Sequence, residues 1–324
     1  MSEILEDVSA GGLLALGRPV VVMLSGGRDS VCLLDLAVRI AGPERVSALH
    51  LNYGLRPEAA GDETHCAALC QRLGVPLTVQ AAGPSPQTGN LQAWARELRY
   101  AAADELAAAR GADMAAGHTA TDQVETILYR LASSPSRRAL LGMRPREGSL
   151  IRPLLGVTRE QTAAYCRQRG LAWRDDDSNE AETYARGRIR TRLVPALKEI
   201  HPAAEANVLA LAEILRDEAA VLDAAVDAVL SGRHEIGLGR LRQLPSALAR
   251  LVVQRLADET AGRPAPGTAR RLPDILALRD HAALDLPHGV RATVTRGVLS
   301  FTSPGGERSI AENAKPGPGV SPAS

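Results

Sequence analysis

The chain carries, at positions 20 to 30, the sequence Val20-Val21-Val22-Met23-Leu24-Ser25-Gly26-Gly27-Arg28-Asp29-Ser30. The β-branched run predicts a buried strand, and the apolar segment that follows, Val31 to Ile40, predicts a helix, so Ser25 to Ser30 is the turn between them. Glycines without Cβ atoms let backbone N–H groups close around phosphate oxygens, and the positive end of the helix faces the same place. A simpler interpretation is that the glycines only make the turn and Asp29 caps the helix.

Other phosphate-binding signatures do not fit this turn. No Lys follows the glycines, so the turn is not a Walker A motif, and the glycine spacing differs from the dinucleotide-binding fingerprint.

Composition allows two domains in an ordinary soluble protein. The chain has 324 residues, of which 45% are hydrophobic and 23% charged, and its net charge of +1 neither supports nor excludes nucleic-acid binding. No basic, apolar leader and no run of eighteen apolar residues is evident, so the sequence predicts a cytoplasmic protein with no membrane partner. The cysteines, which form no Cys-x-x-Cys pair, are interpreted as reduced structural thiols.

Strand-like and helix-like segments alternate in the first half of the chain, which predicts an α/β fold with a doubly wound parallel sheet. The further predicted strands are Val46 to Leu51, Val75 to Gln80 and Ala112 to Ala116. The further predicted helices are Glu58 to Leu73, Asn90 to about Ala109, and Thr119 to about Leu131. Ligands of such sheets bind at the carboxyl ends of the strands, where the Ser25 turn lies.

A second group of polar residues is predicted at the same edge. His118, Asp122 and Glu125 follow a predicted strand with spacings of four and three, so they share one face of the first helical turns. Two carboxylates beside a bound triphosphate suit Mg²⁺, which prefers oxygen ligands, and Asp29 and Asp122 are the metal candidates. The alternative is a capping box of Thr119 and Asp122 with Glu125 as a solvated acid.

The pattern changes near His201-Pro202. We predict an α/β domain at 1–200, a smaller, mostly helical domain at 201–303, and a disordered tail at 304–324. Five basic residues lie between Arg186 and Lys198, which indicates either a phosphate-binding strip or a solvated linker helix. Residues 240–300 hold ten arginines against five carboxylates, an excess that suits the phosphates of a nucleic acid.

Seven motifs occur in the order found in one branch of the ATP pyrophosphatase (PP-loop) family. They are Ser25 to Ser30, His50 to Arg56, Asn90 to Tyr100, His118 to Thr126, Ile151 to Leu155, Asp176 to Asn179, and Tyr184 to Arg190. With these motifs the chain resembles the tRNA(Ile)-lysidine synthetase family. The resemblance implies that ATP activates the wobble cytidine of the isoleucine tRNA with a CAU anticodon, that L-lysine is then attached, and that AMP and pyrophosphate are released.

The resemblance makes 1–200 the ATP pyrophosphatase (PP-loop) catalytic domain and 201–303 the tRNA-facing domain, and it also assigns roles to individual residues. It implies that ATP is bound by the turn residues Ser25, Gly26, Gly27, Arg28, Asp29 and Ser30. It implies a catalytic group made of Asp29, Arg96, His118, Asp122 and Glu125. It favours contacts of Arg186 and Arg190 with substrate or tRNA.

One departure from the family concerns the loop after the Asp122 helix. Relatives carry a basic Arg-Gly-Ser-Gly sequence, whereas this chain has Ser133-Ser134-Pro135-Ser136, so we expect Arg137 or Arg138 to supply the missing charge. The departure keeps open a catalytically impaired tRNA-binding paralogue, and the shared fold keeps open another PP-loop enzyme such as a tRNA thiolase. The sequence does not determine the oligomeric state, and a homodimer is one state compatible with it.

Overall fold

A computed structural model of the chain describes residues 3–14, 17–54, 59–83, 86, 91–134, 137–174 and 185–303. They belong to two compact units, Met1–Glu213 and Ile214–Ser324. Several predicted features lie outside the described residues: Arg56, Pro57, Asn90, Pro135, Ser136, Asp176 to Asn179, Tyr184 and the tail 304–324. In the described part of the chain, no helix combines the length and the apolarity needed to cross a membrane.

The first unit is built around a six-stranded sheet flanked by helices. Its strands are β1 Val20–Met23, β2 Val46–Asn52, β3 Leu77–Ala81, β4 Asp113–Ala115, β5 Arg146–Glu147 and β6 Leu150–Ile151. Its helices are α1 Glu3–Ala10, α2 Arg28–Ala41, α3 Ala59–Leu73, α4 Leu91–Arg110, α5 Ala120–Ser133, α6 Arg159–Gln168, α7 Ala185–Arg188 and α8 Val194–Ile200, followed by α9 Ala204–Leu230. The strand order is β3-β2-β1-β4-β6-β5, parallel except for β5, which runs antiparallel to β6.

Strand β1 is buried on both faces, as a central strand of a doubly wound sheet must be. Val20 and Val22 join the cluster that contains α2, whereas Val21 and Met23 pack with alanines of α4 on the opposite face. The predicted α/β fold with a doubly wound sheet is therefore confirmed. Its predicted helices and strands begin and end within a few residues of the observed ones.

Several elements of this unit, α1 among them, are absent from the sequence prediction, and three of them have a clear physical reason. The β5–β6 hairpin has strands of two residues, too short to produce an alternating pattern. Helix α6 has a polar sequence, REQTAAYCRQ, and therefore a weak apolar stripe. Between α7 and α8 the helix contains a π turn, Ile189–Leu193, because Pro195 has no N–H and its ring would clash with the carbonyl one turn earlier.

The second unit combines helices with a small antiparallel sheet. After α9 come β7 Glu235–Gly237, α10 Leu238–Gln243, α11 Ser246–Ala261, α12 Leu272–Leu276, β8 Ala283–Asp285, β9 Arg291–Thr295 and β10 Val298–Thr302, with strand order β7-β10-β9-β8. The sequence predicts a strand pair at Ala292 to Val294 and Val298 to Phe301, which corresponds to β9 and β10, but it does not predict the three-residue strands β7 and β8. The hydrophobic core of this second unit includes Val252, Leu256, Ile275 and Leu299. The assignment of 1–200 to catalysis and 201–303 to tRNA stays a prediction.

Candidate functional site

The turn from Ser25 to Ser30 is closed by its own hydroxyl groups. Ser30 Oγ donates to the Gly27 carbonyl at 2.8 Å and accepts from the Ser25 N–H at 3.2 Å, and the Gly27 N–H donates to Ser25 Oγ at 3.3 Å. The N–H groups in the first turn of a helix have no partner within the helix, and here they belong to Arg28, Asp29 and Ser30 at the start of α2. The turn is therefore preformed and offers backbone donors of the kind that an anion site uses.

Two glycines are required for this turn to approach its neighbours. Gly26 has φ of +83°, and a Cβ there would lie 3.3 Å from Cys66 Sγ. Gly117, which follows β4, has the closer contact: its Cβ would lie 3.2 Å from the Asp29 carbonyl and from the Ser30 nitrogen. Because those atoms are backbone, the start of α5 can reach the start of α2 only with glycine at this position.

The two predicted metal carboxylates converge on one guanidinium. Asp29 lies in the first turn of α2 and Asp122 in the first turn of α5, after the adjacent strands β1 and β4. Arg159 Nη2 donates to Asp122 Oδ1 at 3.1 Å, and Arg159 Nε lies 3.6 Å from Asp29 Oδ2. Thr162 donates its hydroxyl to Asp29 Oδ1. Both partners come from α6, the helix that the sequence prediction omitted.

Asp122 has a structural and an electrostatic role at once. The Thr119 N–H and hydroxyl both donate to Asp122 Oδ2 at 2.9 Å, which completes a capping box, while Oδ1 faces Arg159. Burial alone would raise the pKa of the Asp122 carboxyl. The charge of Arg159 and the hydrogen bonds from Thr119 outweigh burial and hold that pKa below its usual value.

Glu125 is buried and paired with Arg190. Only 2% of Glu125 is exposed, and its two oxygens accept from Arg190 Nε at 2.6 Å and Nη2 at 2.9 Å. Such a bidentate pair fixes both side chains. Arg190 belongs to the π turn, where the helical register changes and Arg190 reaches α5. Turns of this kind are often found at functional sites.

A cavity of about 360 Å³ adjoins these residues. Its lining combines five arginines with three acids and a histidine: Arg96, Arg130, Arg144, Arg152, Arg186, Asp122, Glu125, Glu147 and His118, with Thr126, Gly142 and Met143. The surplus of arginine makes it suited to anionic groups such as phosphates. Glu125 and Asp122 are already paired with arginines, which leaves little uncompensated negative charge in the lining.

Two buried polar atoms in the cavity wall have no hydrogen-bond partner: His118 Nδ1 and Arg152 Nε. Burial lowers the pKa of His118 to about 4, with the neighbouring arginines adding to the effect and Asp122 opposing it, so the imidazole is neutral at pH 7. Buried polar groups are usually satisfied, so these two unpartnered atoms are an exceptional feature of the cavity wall.

The loop that forms one wall of the cavity is pinned to α5. Gln123 donates to the Met143 carbonyl at 2.8 Å and accepts from the Met143 N–H at 2.6 Å, and Arg130 donates to the Gly142 carbonyl at 2.8 Å. A Cβ at Gly142, where φ is +65°, would lie 2.5 Å from the Gln123 oxygen. The wall is therefore fixed before any ligand binds.

The structure brings most of the predicted residues together. Arg159 connects Asp29 of the turn to Asp122. The cavity is lined by Arg96, His118, Asp122, Glu125 and Arg186. Arg190 forms an ion pair with Glu125. Arg137 and Arg138 lie instead in a 3-10 turn, Arg137–Leu141, and are not among the lining residues. Arg159, Thr162, Arg152 and Gln123 were not predicted, although Ile151 to Leu155 was recognised as a family motif and could have drawn attention to Arg152.

The donor set fits Mg²⁺ bound together with phosphates. Mg²⁺ commonly takes one or two protein carboxylates and completes its coordination with phosphate oxygens and water, and Asp29 and Asp122 already face a common cation. Within the described ranges, no three His, Cys, Asp or Glu side chains are grouped to hold a metal by themselves.

The fold and the preformed turn define a nucleotide-binding protein of the PP-loop class, and the PP-loop domain family matches residues 5–197. A curated tRNA(Ile)-lysidine synthase from Thermus thermophilus is 37% identical to this chain, over 90% of this chain and 58% of its own length. One from Symbiobacterium thermophilum is also 37% identical, over 93% of this chain and 68% of its own length. The enzyme of that name from Gloeobacter violaceus is 36% identical over 78% of this chain and 80% of its own length. The chain therefore belongs to the tRNA(Ile)-lysidine synthase family.

The chain matches only part of the length of some relatives, and its likeness to a solved structure is confined to the fold. The chain spans about 58% of the length of the Thermus relatives. Among solved structures, a U34-tRNA thiolase from Methanococcus maripaludis superposes with a TM-score of 0.57 at 15% identity, over 66% of this chain and 78% of that one. That likeness concerns the fold alone.

Proposed function

We propose that this chain uses ATP to attach L-lysine to C2 of the wobble cytidine in the CAU anticodon of an isoleucine tRNA. The observation that carries the proposal is the continuity of the two parts of the site. Arg159 joins Asp29 of the phosphate-binding turn to Asp122 of the arginine-rich cavity. A nucleotide in the turn would therefore present its phosphates to a second substrate in the cavity.

The chemistry requires two substrates to react in turn. The C2 oxygen of cytosine is a poor leaving group, so it first attacks the α-phosphate of ATP, and pyrophosphate leaves. The ε-amine of lysine then attacks C2, and AMP leaves with the former C2 oxygen. Holding both reactions in one cavity prevents hydrolysis of the adenylated cytidine between them.

The charges of the cavity suit these steps. The turn and the start of α2 supply donors for the departing pyrophosphate, and the arginines of the lining, Arg96 among them, supply donors for the charge on the α-phosphate. Bound Mg²⁺ would neutralise phosphate charge, with Asp29 and Asp122 as its protein ligands. The neutral His118 imidazole lines the cavity in which the lysine amine would react.

The tRNA would be held mainly through its phosphates. Arg186 is exposed at the cavity, Arg137 and Arg138 lie beyond the end of α5, and residues 240–300 carry the arginine excess. Contacts of this kind position a nucleic acid without reading its sequence. We further propose that the enzyme works in the cytoplasm, and a homodimer stays a prediction.

No observation favours the alternative functions. A thiolase with an iron–sulfur cluster needs several cysteine ligands close together, whereas the four cysteines of this chain form no Cys-x-x-Cys pair. A catalytically impaired paralogue would be supported by loss of the acids at the site. Asp29, Asp122 and Glu125 are present and held by defined partners.

The test is an assay with ATP, labelled lysine and transcripts of isoleucine tRNA. We expect label on the transcript with a CAU anticodon and none on a matched transcript with a GAU anticodon. Pyrophosphate and AMP should appear in amounts equal to the lysine attached. Glu125→Gln is the matched variant, because it keeps the shape of the side chain but removes its charge. Absence of label from the wild-type reaction, with tRNA binding intact, would leave the impaired paralogue as the correct interpretation.

A further inference from the structure

The first turn of α6 delivers two side chains to the carboxylates of the site. Thr162 donates to Asp29 Oδ1, and Arg159 reaches both Asp29 and Asp122. The Arg159 guanidinium is therefore the cation shared by the two acids that suit a metal ion.

The Arg159 guanidinium is only partly engaged by these contacts. Its Nη2 makes a hydrogen bond of 3.1 Å to Asp122, but its Nε is 3.6 Å from Asp29, which is an ion-pair distance and too long for a hydrogen bond. That Nε is buried and has no hydrogen-bond partner. About a quarter of the side chain is exposed, 24%. The guanidinium is thus the cation common to both acids, with Arg28 a further partner of Asp29 at 3.1 Å, and its Nε donor stays unsatisfied.

Anchoring of α6 does not account for this arrangement. The helix is capped by Thr158 and Gln161. It is also tied to α2 through the Asp35 carboxylate, which accepts hydrogen bonds from Tyr165 and Arg169. A helix held at its start and along its length does not need a third, partly satisfied ion pair.

We propose that Arg159 is a positioning residue that acts as a resident cation in the nucleotide-free protein and makes metal binding dependent on ATP. The proposal rests on the proposed ATP-dependent function. Without nucleotide, the guanidinium holds Asp29 and Asp122 together and repels a divalent ion from the position that both acids face. When ATP binds in the turn, its phosphates attract the guanidinium, and the acids become available to Mg²⁺. Metal and nucleotide would then enter as one unit, and a free divalent ion would not block the turn.

The mechanism predicts opposite changes in two affinities when Arg159 is lost. Asp29 keeps its contact with Arg28, whose Nε lies 3.1 Å from Oδ1, but both carboxylates lose the cation that they share, so they should bind a free metal ion more tightly. ATP without metal should bind more weakly, because a cation near its phosphates is missing. A purely structural role would weaken both affinities, because a distorted site suits neither ligand.

The experiment measures binding to the full chain without tRNA or lysine. Mn²⁺, which like Mg²⁺ prefers oxygen ligands, is titrated without nucleotide and its free concentration read by electron paramagnetic resonance. ATP binding is titrated separately in EDTA by calorimetry. The variants are Arg159→Met and Arg159→Lys, and the control is Arg167→Met, which removes an exposed arginine from the same helix.

A unit charge within 4 Å of a carboxylate interacts with it by several times the thermal energy, so we expect Arg159→Met to bind Mn²⁺ about tenfold more tightly than the wild type. Its affinity for metal-free ATP should fall by about the same factor. Arg159→Lys should change both affinities in the same directions by less, since one ammonium cannot face two carboxylates as a guanidinium does. Arg167→Met should change neither.

Equal or weaker Mn²⁺ binding by both Arg159 variants would overturn the proposal, and the lysine variant carries the test if the methionine variant does not fold. These titrations use no tRNA and no lysine. A failed lysine-transfer assay would therefore refute the proposed function without deciding the role of Arg159, which the Mn²⁺ and ATP affinities test separately.

Discussion

The buried pair of Glu125 and Arg190 allows a quantitative test of the site. Glu125→Gln, Arg190→Met and the double variant form a cycle that isolates the interaction between the two side chains. Glu125 accepts both hydrogen bonds from an almost fully buried position, whereas 24% of the Arg190 side chain is exposed. The pair is therefore only partly screened by water.

The magnitude follows from that exposure. Removal of one partner of a buried ion pair costs about 3 to 5 kcal/mol, because the other charge is left unpaired. Partial screening of Arg190 lowers the expected loss from each single variant to about 2 to 3 kcal/mol, and the expected coupling energy is of the same size. With a urea m-value of about 2 to 3 kcal/mol/M, each single variant should unfold about 1 M earlier. The double variant should lose less stability than the two single losses added together.

The assay is urea unfolding followed by tryptophan fluorescence. Both tryptophans of the chain, Trp94 and Trp173, belong to the first unit, so the signal reports the unit that holds the pair. Arg255→Met is a suitable control, since it breaks ion pairs in the second unit and should leave this transition in place. A coupling energy below about 0.5 kcal/mol, the usual value for exposed pairs, would show that Glu125 and Arg190 are not held together in solution.

Three further predictions concern the remaining parts of the site. Gly117→Ala should raise KM for ATP and destabilise the first unit by about 1 to 3 kcal/mol, because its Cβ meets the backbone of Asp29 and Ser30. The control is Gly156→Ala, whose Cβ has no atom within 4 Å. Equal effects of the two substitutions would refute the close approach at Gly117. The folded-state pKa of His118 lies below its unfolded value, so protonation favours unfolding: stability should fall as the pH drops from about 6.5 towards 4, and His118→Gln should flatten that slope in urea unfolding at several pH values. An unchanged slope would mean that the imidazole is not buried as described. Asp29→Ala should abolish pyrophosphate release and destabilise the first unit by about 1 to 3 kcal/mol, because the buried Thr162 hydroxyl and two arginines lose their acceptor. A pyrophosphate-release assay and thermal unfolding measure the two effects, and wild-type turnover would exclude the role of Asp29 at the phosphates.

The core of the fold follows from patterns that are local in the sequence. Strand β1 and helix α2 are long apolar segments on either side of two glycines, and periodicity identifies such segments readily. Helix α6 and hairpin β5–β6 could not be identified in this way. One is polar along most of its length and the other has two-residue strands, so their positions depend on the sheet against which they pack.

The site could be predicted in its acids but not in the partners of those acids. Asp122 and Glu125 are predicted to lie together because they are three residues apart on one helix. Asp29 is predicted at the same place because it follows another strand of the same sheet edge. Arg159 lies 37 residues from Asp122 along the chain, and Arg190 lies 65 residues from Glu125. Pairings over such separations come from packing, and the sequence contains no periodic signal for them.

The use of arginine rather than lysine in the cavity has a chemical consequence. All five basic residues of the lining are arginines, and the chain as a whole has only two lysines. In a cavity with several cationic neighbours, a lysine would have a depressed pKa and would become a nucleophile. Such a side chain could attack an adenylated cytidine in place of the free amino acid, and the tRNA would become attached to the protein. A guanidinium keeps its proton and its charge under the same conditions. The cavity can therefore stabilise phosphate charge strongly without offering an amine that competes with the proposed substrate.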